Sequence, residues 1–286
     1  MRALVLSGGS SKSAYQAGAL QYILGELEIN YKIFCGISAG AINCALLSMF
    51  ESGKEKEAAD TLKKMWLEID NSKIYKRHFP FGRFHALWAR SFYDSSPLEK
   101  LIRDNLDLEK IRTSGKKVTA GTVSISTGKY TIFDETSDNF IDAVIAGASF
   151  PGMFAPISFL GELWTDGGIK QLSSIHKAIE LGATEIDIII TSPETRVKKF
   201  IEKPTAVDIL KRAFDLSTDK IMQNDIDKVE MHNKLALAGL SDKKYVKLNI
   251  LRPDYNLIED LLDFSPKKIA EMMQKGYLDA KVKYIR

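Results

Sequence analysis

Within its first fifty residues the chain twice runs from a short apolar strand through a glycine-containing turn directly into a helical pattern. Residues 3–6 read as the first strand and 7–12 as its turn. Apolar positions spaced by three and four then mark a helix from about Ser13 to Glu28. Tyr31 to Cys35 read as the second strand, followed by Gly36-Ile37-Ser38-Ala39-Gly40 and an apolar helix through about Phe50. Strand and helix in alternation imply crossover connections, which leave strands parallel and cover the sheet with helices. Further strands are expected at 118–125, 129–134, 185–191 and 245–250, with helices at 54–69, 97–106, 138–148, 173–181, 205–238 and 265–284. The expected fold class is therefore α/β with a mainly parallel sheet. A chain of 286 residues can bury one generous core of this kind. Pro193 and Pro204 bracket a charged stretch that forms the only plausible seam. Residues 1–192 are expected to form a catalytic domain, and 193–286 a mainly helical extension packed on it.

The charge balance narrows the partners. Forty basic residues against 37 acidic ones give a net charge of +3, which implies no nucleic-acid field and mildly favours anionic surfaces. The only cysteines, Cys35 and Cys44, make neither a disulfide framework nor a four-ligand zinc site, and a reducing compartment suits them. The apolar run at the N-terminus is too short for a signal-peptide core, and no later run approaches the ~18 apolar residues of a membrane span. A cytoplasmic protein, meeting membranes peripherally if at all, is expected.

Gly36-Ile37-Ser38-Ala39-Gly40 fits G-x-S-x-G, in which a sharp strand-to-helix turn lifts a serine out of the backbone and small neighbours prevent a clash. A helix N-cap serine between packing glycines is the plainer reading. The position at a strand end, opening a helix whose first amides point at the serine, favours a nucleophile. The first loop, with Gly8, Gly9 and Ser10, can supply backbone donors to an oxyanion. A nucleotide site there is disfavoured. G-x-x-x-x-G-K-[ST] fails because Ser11 precedes Lys12, and G-x-G-x-x-G fails at Ser10 and Ser13. Thr165-Asp166-Gly167-Gly168 puts an acid at the end of a short apolar segment, before two glycines. This is either an ordinary turn or a carboxylate aimed into a cleft, where it can act as a general base. None of the histidines at 78, 85, 176 and 232 stands in a local pattern that marks a catalytic triad.

These elements together resemble the patatin-like phospholipases. The likeness extends through Ala14-Tyr15-Gln16-Ala17-Gly18-Ala19-Leu20, through residues 148–156 ahead of the aspartate, and through Ala178 to Ala183, covering roughly residues 3–192. The resemblance implies a three-layer α/β/α patatin-like fold and a phospholipase A-type or carboxylesterase activity on lipid acyl esters, needing no cofactor. Carried over by position, it makes Ser38 the nucleophile and Asp166 its base. Gly8, Gly9 and Ser10 would line the oxyanion hole, with Lys12, Gly36, Gly40, Gly167 and Gly168 as supporting motif residues. The chain departs from the family's loop at Ser10 and Ser13, where glycines are usual. A serine resists positive φ, so a hole of altered shape or a low activity is expected.

Residues 76–93 mix basic and aromatic side chains densely, which suits either a lid or an element at a bilayer interface. Three other readings stay open. One is an α/β-hydrolase triad completed by His176 or His232, another is acyl transfer from the same acyl-enzyme, and the third is an inactive lipid- or phosphate-binding module.

Overall fold

The computed structural model describes residues 1–77, 90–194, 206–242 and 244–285. The strands are β1 (Arg2–Leu6), β2 (Ile33–Gly36), β3 (Lys76–Arg77), β4 (Tyr93–Asp94), β5 (Lys117–Ser124), β6 (Tyr130–Asp134), β7 (Ile157–Phe159), β8 (Glu162–Asp166), β9 (Glu185–Ile189) and β10 (Lys247–Leu251). The helices are α1 (Ala14–Ile23), α2 (Ala39–Ser48), α3 (Glu55–Glu68), α4 (Asn71–Ile74), α5 (Ser96–Asn105), α6 (Leu108–Thr113), α7 (Phe140–Gly147), α8 (Ile175–Glu180), α9 (Ala206–Leu237) and α10 (Pro266–Ile285).

The main sheet runs β10-β9-β1-β2-β5-β8-β7, with β6 also paired to β5. The pairings from β10 to β5 are parallel, and those of β6, β7 and β8 antiparallel. The mainly parallel α/β sheet expected from the sequence is present. Its central strands are almost wholly apolar because both faces are covered. Leu4, Leu6 and Phe34 pack into one core with side chains of α1, α3, α7 and α10. Alternate residues Ala3, Val5, Ile33 and Cys35 pack into a second core with Ile175 and Ala178 of α8 and Met222, Ile226 and Val229 of α9. The period-two alternation of the strands thus sorts side chains between two helical layers.

Helix α1 is buried nearly all round. A Cβ added at Gly18 would run into the backbone of Met273, and one at Gly276 into the backbone of Tyr15, so α1 and α10 meet backbone to backbone. Among the described residues of the C-terminal stretch, α9 and α10 supply most of the structure, while β10 joins the main sheet beside β9.

The edge of β5 positions the site. Lys117 N–H donates to Lys32 O at 2.9 Å and Ile125 N–H donates to Leu163 O at 2.8 Å, so odd-numbered amides of this strand serve one edge. Ser124 N–H donates to Lys129 O across the hairpin to β6. Strands β2 and β8 therefore share one edge of β5. Ile33–Gly36 lie opposite Lys117–Ala120, and Asp166–Trp164 opposite Thr122–Ser124. Asp166 enters the sheet just beyond the point where β2 ends.

Several expectations need correction. The first helix stops at Ile23 rather than Glu28, and Glu28 itself has φ of 51° in the following turn. The β7–β8 hairpin and the short α6 were not anticipated. The hairpin turns through Leu160 (φ 50°) and Gly161 (φ 73°), a leucine in the left-handed region that no turn rule signals. Helix α6 starts at Asp107, whose carboxylate accepts from the amides of Glu109 and Lys110.

Candidate active site

Ser38 sits between β2 and α2 with φ of 55° and ψ of −133°. A non-glycine residue in this region costs about 1–3 kcal/mol and persists only where its surroundings hold it. Here the neighbours are glycines for steric reasons. A Cβ at Gly36 would run into the backbone of Gly40 and Ala41, and one at Gly40 would lie 2.6 Å from the carbonyl oxygens of Leu6 and Ser7. The turn can tighten against β1 only because both side chains are missing.

Ser38 Oγ donates to Asp166 Oδ2 at 2.7 Å. The other carboxylate oxygen, Oδ1, accepts from Gly168 N–H at 2.7 Å. Asp166 is 2% exposed. Burial pushes its carboxyl up to about 6, against the opposing effect of the Ser38 and Gly168 hydrogen bonds. A Cβ at Gly167 would run into the carbonyl of Gly121, so the first glycine after the aspartate lets the turn lie directly on β5. The structure brings together Ser38 and Asp166, which are 128 residues apart in the chain.

The first loop lies against this pair. A Cβ at Gly8 would fall 3.1 Å from Ser38 Cβ. Among the described residues, the amides of Gly8, Gly9 and Ser10 have no protein acceptor. Ser10 takes φ of 50°, so serine adopts the left-handed backbone it was expected to resist. Ser13 is right-handed at φ of −69° and needs no glycine. Of the two serines that depart from the family's loop, Ser10 alone takes the left-handed backbone. Lys12 is 3% exposed and its ammonium donates to Ser192 Oγ at 3.4 Å.

Sequence reasoning missed a buried chain of amides behind the loop. Trp66 Nε1 donates to Asn43 Oδ1 at 2.9 Å, and Asn43 Nδ2 donates to Gln16 Oε1 at 3.0 Å. Gln16 Nε2 in turn donates to Ser7 O at 2.8 Å and Ile189 O at 3.2 Å. Gln16 and Asn43 are fully buried, and between them they fasten α1, α2 and α3 to the base of the loop. A glutamine in the mainly apolar first turn of a helix was the available signal.

No histidine completes a triad among the described residues. His176 lies on α8 and His232 on α9, whereas both oxygens of Asp166 are engaged by Ser38 and Gly168. His78 and His85 lie outside the described residues, as does most of the basic aromatic segment. Cys35 and Cys44 are buried free thiols.

A family model described as patatin-like phospholipase matches residues 4–178, more than half of the chain. The chain is 24% identical over 198 residues to mouse calcium-independent phospholipase A2-gamma, a match covering 59% of this chain and 24% of the mouse protein. It is 27% identical over 186 residues to the probable lipid hydrolase 463L of Invertebrate iridescent virus 6, covering 63% of each. The crystal structure of VipD from Legionella pneumophila aligns over 99% of this chain and 66% of its own, with a TM-score of 0.44 and 13% identity. The chain thus spans a quarter of the mouse relative and under two thirds of the viral one. With the match extending from β1 past Asp166, the chain belongs to the patatin-like phospholipase family.

Proposed function

We propose that this protein hydrolyses carboxylic esters of lipids through an acyl-enzyme on Ser38, with Asp166 as the sole general base. The observation that carries this reading is the 2.7 Å hydrogen bond from the Ser38 hydroxyl, on its strained turn, to the buried carboxylate. A base with a pKa near the working pH transfers protons best, and burial moves Asp166 toward that range.

The geometry supports the following steps. Ser38 Oγ attacks the ester carbonyl carbon while its proton passes to Asp166 Oδ2, and the carbonyl oxygen becomes an oxyanion. Amides of Gly8, Gly9 and Ser10 donate to it. Collapse breaks the ester C–O bond, and the leaving alcohol takes the proton from Asp166. Water then attacks the acyl carbon, giving a proton to Asp166, and Ser38 departs by taking that proton back. Gly168 N–H holds Oδ1 so that Oδ2 keeps facing the serine. Lipid as the substrate class rests on the family, whose named relatives include a phospholipase and a probable lipid hydrolase. Peripheral contact with a lipid surface is part of this reading, and Phe92, Ile125 and Ile169 are apolar side chains exposed to solvent. Among the described residues, no helix is long and apolar enough to cross a membrane.

The test is hydrolysis of p-nitrophenyl esters of increasing chain length and of phospholipid vesicles. Ser38→Ala and Asp166→Asn should each lose at least about a thousandfold in kcat. Folded wild-type protein without esterase activity, or an active Ser38→Ala, would overturn the proposal.

A further inference from the structure

We infer that Thr191, assisted by Ser7, is a positioning residue that sets the direction of the Gly9 amide, and with it the oxyanion hole. The inference rests on the hydrolase reading above. Strands β9 and β2 flank β1 on opposite edges. The segment leaving β1 keeps that arrangement, since Ser7 N–H donates to Ile189 O on one side and Ile37 N–H donates to Leu6 O on the other. Thr191, two residues past β9, is 1% exposed. Its hydroxyl donates to Gly8 O at 2.8 Å, and Ser7 Oγ donates to the same carbonyl at 3.1 Å. The Thr191 amide donates to Ser7 Oγ at 3.2 Å, which fixes that hydroxyl in turn.

The Gly8 carbonyl is thus drawn toward β9. In a trans peptide the following N–H points the opposite way. The Gly9 amide therefore faces the β2 side, where Gly8 abuts Ser38 and where an oxyanion on the Ser38 adduct would form. No Cβ of its own restrains this peptide, because neither Gly8 nor Gly9 has a side chain. The two hydroxyls carry the orientation. Turned over, the same peptide would present its carbonyl oxygen to the developing negative charge. Gly9 is a glycine for a related reason, since a Cβ there would run into Thr191 Oγ1 and separate the loop from its donor.

Thr191→Val keeps the shape and deletes the donor, and Thr191→Ser restores it. Losing one oxyanion donor typically costs on the order of a hundred- to a thousandfold, so misdirecting one should lower kcat by about ten- to a hundredfold at unchanged KM. Thr191→Ser should stay within a few-fold of wild type. The pH profile should not move, because Asp166 is untouched. A crystal structure of Thr191→Val should show the Gly8 carbonyl rotated away from position 191. Wild-type kcat in Thr191→Val while Ser38→Ala is inactive would overturn the inference and leave the hydrolase reading standing. An unmoved Gly8–Gly9 peptide in that crystal structure would overturn it whatever the activity. Activity surviving in Ser38→Ala would instead remove the hydrolase reading. Should Thr191→Val fail to fold, Ser7→Ala removes the second donor, and the same fall in kcat at constant KM is expected at smaller size, its absence refuting the inference.

Discussion

Removing the charge of Asp166 should make the protein more stable at neutral pH and at the same time inactive. The carboxyl is buried, and burial moves it from an ordinary 3.8 to about 6. The folded state therefore holds this proton more tightly than the unfolded chain does. The group favours folding below about pH 4, and that advantage is lost as pH rises through about 6. At pH 7.5 the ionised carboxylate is a net cost of about 3 kcal/mol relative to its protonated form. Asp166→Asn, neutral throughout, should thus gain up to about 3 kcal/mol at pH 7.5 and almost nothing at pH 4, read as the change in urea midpoint at each pH. Under the proposed mechanism the same titration governs rate, since only the carboxylate would accept the serine proton. About one tenth of the enzyme is in that form at pH 5, so kcat/KM there should be about a tenth of its plateau and fall a further tenfold per pH unit. An aspartate left at 3.8 would keep about nine tenths of its activity at pH 5. A flat profile between pH 5 and 7 in folded protein, or an Asp166→Asn variant no more stable at pH 7.5 than at pH 4, would refute the reasoning.

Other perturbations follow from the loop and its supports. Ser10→Gly should release about 1 kcal/mol of left-handed backbone cost, partly offset by unfolded-state entropy, so a thermal scan should show a small rise or no change and not a clear fall. Gly9→Ala should cost about 1–3 kcal/mol and depress esterase activity well below the melting transition, because its methyl runs into Thr191. Gln16→Met leaves the Ser7 carbonyl and Asn43 without their buried partner and should cost about 2–4 kcal/mol by urea unfolding. Gly276→Ala should force α10 off α1 and cost several kcal/mol, a larger loss than any surface alanine gives.

Much of this was legible in the sequence because it is local. Two strand–turn–helix units, the glycines around Ser38 and the glycines after Asp166 all lie within a few residues of what they shape. The regular helices beyond Glu51 fall within about two residues of their expected ends for the same reason. What escaped depends on long-range register. The pairing of Ser38 with Asp166 was expected through the family resemblance, but not the means of it, β2 and β8 occupying successive stretches of one β5 edge, which no pattern inside residues 36–40 or 165–168 encodes. Thr191 and Gln16 act through hydrogen bonds to residues 183 and 9 positions away, with no motif to announce them. Leu160 at positive φ hid a hairpin that a glycine or asparagine there would have advertised.

The split edge of β5 makes that strand a ruler. The spacing between the serine and its carboxylate is graduated along a segment that contributes neither group, in steps of about 3.3 Å per residue. One residue inserted between Ala120 and Thr122 would leave both glycine motifs intact in sequence yet move their side chains apart by a full step and exchange the faces of everything beyond. Gly121 is the graduation between the two pairings, and a Cβ there would meet Ile37 Cδ1 at 2.9 Å, one residue before the nucleophile. In this chain the distance between Ser38 and Asp166 is therefore inherited from a third strand, and under the proposed mechanism drift in β5 would abolish activity without touching either residue.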